Sequence, residues 1–538
     1  MRAIAQAPAR TSAWAPFTSV PFALLWTATL VSNVGTWMHD VGAGWLMTTL
    51  SPSPAIVALV QASTTFPIFL FALLAGALAD RLDRKRMLIA INTLLFLIVA
   101  SLALLVQMEQ VTPGVLLAYT LVIGTGAAFM APAWQAVVPS LVPKSQLQSA
   151  IALNSMGINI SRAIGPALAG LLITAVSLAA PFAVNAASHV VIIVALLLWK
   201  QPARKADSLP AEPIVGAMVT GLRHSANNLP LRSTMIRALA FFLSASAYWA
   251  MLPLIARNVP NGGAELYGIL LAAVGAGAVS GALLLPPLRR RISPDRLVAA
   301  GTVGTAAILL VFALIDDRNT LIVAALAAGL SWITVLTCLN VSAQIALPNW
   351  VRARGLAVYL MVFFGSMALG ATVWGQIASR TSVNVALMVA AVALVLAIPL
   401  TWRSKLGTAE TMDLSPSTHW PNPVVAEELA GEVDRGPVMV TIRYRIDVTD
   451  REAFLAAIHQ LSKERYRDGA FNWGVYQDTE HANSWLEWFM LPSWSEHLRQ
   501  HQRVTVHDRE IQQSVAKLHK GEAPPTVRHY LAPTPDSR

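Results

Sequence analysis

Cysteine is nearly absent from this sequence, and charge is scarce. A single cysteine, Cys338, occurs in 538 residues. A lone thiol forms no internal disulfide and leaves no room for a cysteine-based metal cluster, so a disulfide-stapled secreted scaffold is excluded. Charged residues make up 13% of the chain, about half the roughly 25% usual in soluble domains. There is no Walker phosphate loop and no ABC signature, so ATP is not expected as an energy source. No basic run is interleaved with aromatics, and nucleic acid is not an expected partner. Met1 to Pro16 holds two arginines but no short apolar core followed by a cleavage site, so no cleaved signal peptide is expected.

What fills the sequence instead is apolar: 55% of residues are hydrophobic and mean hydropathy is +0.55. A helix needs about 20 apolar residues to cross a bilayer. Stretches of that kind occur at 22–48, 54–79, 87–108, 113–137, 149–176, 180–199, 233–256, 266–288, 297–315, 320–346, 354–378 and 382–402. The expectation is therefore twelve transmembrane helices in a lipid bilayer. With the N-terminus inside, sixteen Lys and Arg fall in the inner connections and three (Arg257, Arg318 and Arg380) in the outer ones. The positive-inside rule then puts both termini in the cytoplasm.

The chain divides by composition. Residues 1–405 carry a net charge of +15 and residues 406–538 a net of −5. Residues 1–199 and 233–405 read as two six-helix halves joined by a polar, cytoplasmic central loop at 200–232. The halves match at an offset of 205 residues: Gly76 to Arg86 aligns with Gly281 to Arg291, and Gly165 with Gly370. Internal repeats of this kind build many transporters, with the substrate site between them. Residues 406–436, with Pro416, Pro421 and Pro423, read as a linker, and 437–538 as a soluble α+β domain. There, Val438, Val440, Ile442, Tyr444 and Ile446 alternate with polar and long side chains, as in a half-buried strand. Thr449-x-x-Glu452 and Ser493-x-x-Glu496 read as capping boxes opening two helices, the second running to about Lys520. Further strands are expected near 472–477, 484–491 and 526–531. The order βαββαβ is ferredoxin-like.

Several residues stand out for chemistry. Asp40 is the one carboxylate inside the expected spans, and Asn33, Trp37 and Asp40 lie about a turn apart on one face. A carboxylate in a low-dielectric cavity can carry a proton near neutral pH; an interfacial acid near the outer headgroups is the alternative. Arg162 lies roughly 20 Å along the fifth helix at about 1.5 Å per residue, past the midplane, where a cation is costly and functional by default. Ser155, Asn159 and Arg162 share one face, read as lining a central cavity. A structural arginine paired with carbonyls is the alternative. His189 reads as a hydrogen-bonded packing residue, and Arg237 as a snorkelling one. In the tail, His497 and His501 stand at i, i+4, a spacing that suits a metal. Without an H-E-x-x-H motif, and with Arg and Glu around them, a solvated face is the expectation. No metal and no cofactor are expected. Trp473, Trp485, Trp488 and Trp494 read as core or a dimer face.

The loop after the second helix reads Gly76-x-Leu78-Ala79-Asp80-Arg81-x-Asp83-Arg84-Lys85-Arg86. It resembles the signature G-x-L-A-D-R-x-G-R-R of the major facilitator superfamily, with Asp83 at the place of the usual glycine. Gly76 is expected to let two helices approach closely. The resemblance implies that Asp80, Arg81 and Arg84 latch the two halves on the cytoplasmic side, against a helix beginning near Val351 to Gly355 and carrying Arg352 and Arg354. The fifth helix carries Ser161-Arg162-Ala163-Ile164-Gly165-Pro166-Ala167-Leu168-Ala169-Gly170, a partial match to that family's exporter motif G-x-x-x-G-P-x-x-G-G. Gly157, Ser161, Gly165 and Ala169 form a small-residue face, and Pro166 predicts a kink. Packing alone and a specific exporter role both stay open.

Ser32 to Met38, Asn154 to Leu168 and Val438 to Asp447 extend the resemblance to the transmembrane secretion effector branch, similar to enterobactin exporters. The tail resembles the dimeric α/β barrel module of small monooxygenases, without a catalytic signature. The resemblance implies an all-α membrane protein of the bacterial cytoplasmic membrane, not an enzyme. It would export a siderophore, drug or other metabolite by alternating access, with proton antiport through Asp40. The alternative is a transporter whose tail is an enzyme, a ligand sensor or a dimerisation module.

Overall fold

The computed structural model describes residues 12–201, 214–417, 419–420, 423 and 435–533. The first half runs α1 (Val20–Leu50), α2 (Pro54–Arg81), α3 (Arg84–Gln107), α4 (Pro113–Val137), α5 (Leu147–Ala175) and α6 (Ala180–Leu198). After α7 (Ile214–Asn227) come α8 (Leu229–Asn258), α9 (Ala264–Arg289), α10 (Pro294–Leu314), α11 (Arg318–Ile345), α12 (Arg352–Arg380) and α13 (Val383–Thr401). The tail adds β1 (Val438–Arg445), α14 (Arg451–Arg467), β2 (Asn472–Gln477), β3 (Ser484–Leu491), α15 (Trp494–Arg503), α16 (Val506–Ala516) and β4 (Thr526–Leu531). The chain forms two compact units. Among the described residues, one comprises 12–201, 235–340 and 359–404, and the other 214–234, 341–358 and those from 405 onward.

Eleven helices among the described residues are long and apolar enough to cross a membrane. The twelfth expected span is α1, 31 residues long, in which Ser32, Asn33, Thr36, His39 and Asp40 dilute the apolar composition. The helices start where local chemistry lets them. Proline opens α2, α4 and α10 at a position whose N–H would lack a partner anyway. Thr112 caps α4 and Ser382 caps α13 through their side-chain oxygens. Asp83 caps α3: its carboxylate accepts from the Arg86 N–H at 2.8 Å. The residue that departs from the superfamily signature thus has a local task. Lys85 donates to the carbonyls of Leu197 and Trp199 and satisfies the end of α6. Leu197, Leu283, Leu314 and Val392 point outward, a surface suited to hydrocarbon and not to water.

The two halves repeat in their packing. Gly165 brings α5 against α1, where an added Cβ would lie 2.6 Å from Trp37 Cβ. Its counterpart Gly370 brings α12 against the Leu243 carbonyl of α8. Gly124 and Gly329, also 205 residues apart, seat α4 against the Thr64 carbonyl of α2 and α11 against the Val274 carbonyl of α9. Along α5, Gly157 faces Trp26, Ser161 Oγ donates to the Leu30 carbonyl at 3.3 Å, and Ala169 is fully buried. The small-residue face is therefore a seat for α1.

The second unit contains the tail and α7. The central loop, expected to be a polar connection, is helical over 214–227, with Ala217, Gly221, His224 and Ser225 buried. Gly221 lies against Arg354 Cβ, Arg223 donates to the Gly469 carbonyl at 2.7 Å, and His224 meets Trp350 edge to face. The tail sheet is antiparallel in the order β2-β3-β1-β4, the ferredoxin-like arrangement. In register, Val440 lies opposite Phe489 on β3 and His529 on β4. Val440, Phe454, Ile458, Leu461 and Phe489 form its core.

Two helix starts differ from expectation. Thr449 does not cap α14; a 3-10 turn at Val448–Asp450 precedes it, and its first residue follows Asp450 without a side-chain cap. Ser493 does cap α15, but the helix stops at Arg503. Thr505 and Asp508 then open α16 with a full capping box. Part of the expected linker is ordered on this domain: Ser417 donates to the Val504 carbonyl and accepts from or donates to His419, whose other ring nitrogen meets Gln512.

Candidate functional site

A cavity of about 440 Å³ lies between the two halves of the bundle. Asp40 and Trp37 from α1, Arg162 from α5, Gln61 and Thr64 from α2, and Tyr267 from α9 line it. Trp249, Trp332, Tyr359 and Phe363 supply an aromatic wall from the second half. The Arg162 guanidinium carbon sits 5.4 Å from the Trp37 ring centroid, and its Nε is buried without a hydrogen-bond partner. No ion pair joins Arg162 to Asp40 among the described residues. The cavity therefore presents a carboxylate and a cation held apart, on an apolar and aromatic background.

Above the cavity the halves meet backbone to backbone. Gly275 on α9 faces Arg162 and Ala163, Gly268 faces Pro166, and Gly170 faces Ala264; an added Cβ at any of them would come within 3 Å of main-chain atoms. On the other side, Gly375 of α12 meets Ala55 and Ala58, and Ser379 Oγ accepts from the Ala55 N–H at 2.9 Å. Arg257 donates to the Thr48 carbonyl. These contacts run from the α1–α2 turn end of the bundle to the middle of the helices. Gly76, near the opposite end of α2, would meet nothing within 4 Å if it carried a Cβ. Its expected close approach to a second helix is therefore not seen among the described residues.

The other expected site residues are placed as follows. Asn33 is half-buried and is not part of the cavity wall. Ser155 and Asn159 share Arg162's helix but not its cavity. Ser155 Oγ donates to the Ile151 carbonyl and Asn159 to the Ser155 carbonyl, so their polar groups are satisfied along α5. The side chains of Asp80 and Arg81 lie outside the described residues. Arg84 donates to the Ala79 carbonyl at 3.4 Å. Arg352 donates to the Leu347 carbonyl and belongs with Arg354 to the second unit. His189 is buried and hydrogen-bonds Asn92 at 3.0 Å, as a packing histidine should. Arg237 does not snorkel: it is 4% exposed, pairs with Asp295 at 2.9 Å and donates to the Ser404 carbonyl. Gln61, Thr64 and Asn340 were missed. Polar residues at i, i+3 inside an otherwise apolar α2 were the available signal for the first two.

A second, larger cavity of about 1040 Å³ occupies the tail between sheet and helices. Glu487, fully buried beside it, accepts from Arg465, Tyr444 and Trp473, so that carboxylate is paired and satisfied. His497, His501 and His529 also line the cavity. The expected solvated face is overturned, since His497 is only 1% exposed.

A pseudo-symmetric pair of six-helix halves around a cavity with a carboxylate and a cation defines a multi-pass membrane carrier fold. The chain belongs to the transmembrane secretion effector family of the major facilitator superfamily, whose sequence model matches residues 11–536. Among characterised relatives, the staphyloferrin A transporter of Staphylococcus aureus is 26% identical over 48% of this chain and 65% of its own length. The enterobactin exporter of Escherichia coli is 25% identical over 63% of this chain and 76% of its own. The multidrug efflux pump Tap of Mycolicibacterium fortuitum is 24% identical over 68% and 90%. The chain thus spans just under two thirds of the first of these relatives. A POT family transporter crystallised with 5-aminolevulinic acid shares the fold at a TM-score of 0.59 and 11% identity, over 71% of this chain and 95% of that one. The family and the named relatives are transporters and not enzymes.

Proposed function

We propose that this protein is a secondary active exporter of a small anionic molecule of the siderophore or drug class, working by alternating access and coupled to proton entry. The observation that carries the reading is the cavity between the halves, in which Asp40 and Arg162 face one space without pairing to each other. Arg162, half-buried against Trp37, suits an anionic group on the cargo, and the aromatic wall suits its apolar or ring-bearing body. Asp40 is the proton carrier, and protonation on one side and release on the other drives the cycle. The names of the relatives support a siderophore or drug as cargo. The chain sits in the bacterial cytoplasmic membrane with both termini inside, as its loop charges favour. The Gly76–Arg86 loop serves as the cytoplasmic latch.

Proteoliposomes with an imposed pH gradient test this, using metal-free enterobactin, staphyloferrin A and ethidium as probes. Gradient-driven movement of at least one of the two siderophores is expected, with ethidium as the cationic comparison, Asp40→Asn abolishing the dependence on the gradient and Arg162→Ala abolishing movement of the siderophores. Gradient-driven movement that survives both substitutions overturns the site assignment.

A further inference from the structure

The tail brings three imidazoles together for which transport through the bundle has no use. His497 and His501 stand one turn apart on α15, and His529 reaches the same place from β4 across the cavity. One ring nitrogen from each lies within 4.8 Å of the others, and the ring centroids of His497 are 4.7 Å from those of both His501 and His529. Trp494 packs on His497 and His529, and Trp420 on His501 edge to face, so the rings are held in place. The buried nitrogens are poorly satisfied: Gln500 is the polar side chain beside His497, but neither nitrogen of His497 nor Nδ1 of His501 makes a well-formed hydrogen bond. His189 shows what a packing histidine does in this same chain, since it bonds Asn92. Burial, then repulsion by His529, pushes His497 down to about 3 and His501 to about 4, and burial lowers His529. Burial disfavours the charged form of each ring, and the neutral imidazole is the form that offers a lone pair to a metal.

We propose that His497, His501 and His529 form a binding site for one divalent transition-metal ion of the zinc type, on the wall of the tail cavity. Three neutral imidazoles suit Zn²⁺ and its neighbours and not Mg²⁺ or Ca²⁺, which prefer oxygen donors. Metal–nitrogen distances of about 2.0–2.1 Å require the nitrogens to draw in by roughly an ångström from their present spacing, which small side-chain rotations supply. Three protein ligands leave a fourth position open, as in zinc sites that also bind water or a ligand. Because the three ligands are uncharged, an anionic oxygen donor in the cavity completes the site best. Arg465 is close enough to repel a cation, but its charge is taken up by Glu487 at 3.1 Å. This inference is independent of the transport reading.

The test uses the untagged full-length chain in detergent, stripped with chelator and titrated with Co²⁺ and Zn²⁺. One Co²⁺ equivalent is expected, with the intense visible absorption of four-coordinate cobalt, and Zn²⁺ should displace it. His501→Ala and His529→Ala should each weaken binding at least about tenfold, whereas His481→Ala, an exposed loop residue, should not. A wild-type protein that gives no four-coordinate cobalt spectrum overturns the proposal, whatever the variants do. So does equal loss of binding in the His481 variant.

Discussion

The guanidinium of Arg162 on α5 lies 5.4 Å above the ring of Trp37 on α1, and one residue fixes the other at the wall of the cavity between the halves. A cation over an indole is worth about 0.5–2 kcal/mol, enough to hold the arginine in place yet little enough to be exchanged for an anionic cargo. Trp37→Leu should therefore leave the protein folded and raise the concentration of anionic probe needed for half-maximal transport several-fold. Movement of a cationic probe such as ethidium should be little affected. Transport assays in proteoliposomes with both probe classes check this split; equal losses for the two would show that Trp37 matters only for packing.

Gly329 and Gly76 make a contrasting pair. A Cβ on Gly329 would fall on the Val274 carbonyl, and one on Gly76 would meet open space. Gly329→Ala is expected to destabilise the α9–α11 packing and lower the unfolding temperature by several degrees. Gly76→Ala should be neutral or stabilise by up to about 1 kcal/mol through helix propensity. Differential scanning fluorimetry of the detergent-solubilised variants distinguishes them.

Asp83 offers a test of what replaced the signature glycine. Removal of its cap in Asp83→Ala should cost about 0.5–2 kcal/mol, whereas Asp83→Gly, which restores the superfamily residue, should cost only a few tenths. The ordering of the two in thermal unfolding is the readout.

The tail has a pH window with two edges. Burial, then repulsion by Asp508, raises the Glu464 carboxyl to about 9 from the ordinary 4.5, and neither of its oxygens has a hydrogen-bond partner. A raised carboxyl contributes stability that is fully present below the unfolded value and is lost as pH climbs from about 4.5 towards 9. The lowered His497 acts in the opposite direction: its contribution is full above about 6.5 and is lost as pH falls towards 3. Glu464→Gln should thus make tail unfolding less sensitive to pH on the alkaline side and leave the acid side unchanged. Near-UV circular dichroism of the full chain between pH 5 and 9, where the tail tryptophans report, measures it.

Much of the bundle was legible because apolar length and loop charge are long-range, redundant signals. Cavity residues were legible where a polar group interrupts lipid-compatible sequence, as Asp40 and Arg162 do. Ser155 and Asn159 misled because a shared helical face does not say how far along the helix the cavity extends, and both side chains found partners on α5. Arg237 misled for a related reason: its partner Asp295 lies in a different helix, and spacing along one helix cannot reveal it. The helix at 214–227 hid in a polar loop because its buried face is made of Ala217, Gly221, His224 and Ser225, three small residues and a polar ring that hydropathy scarcely registers. The break after Arg503 was readable in Thr505-x-x-Asp508, and the histidine trio was not, since its third member arrives through strand register.

The glycine-lined seam between α5 and α9 has a mechanical consequence. Where main chain rests on main chain at Gly275 and Gly268, no side chains interlock, so a small roll of one half over the other has no rotamers to reset. Such smooth bearings favour sliding over unlocking, and they leave the work of resisting that motion to the few polar clasps at the rim, Arg257 on Thr48 and Ser379 on Ala55.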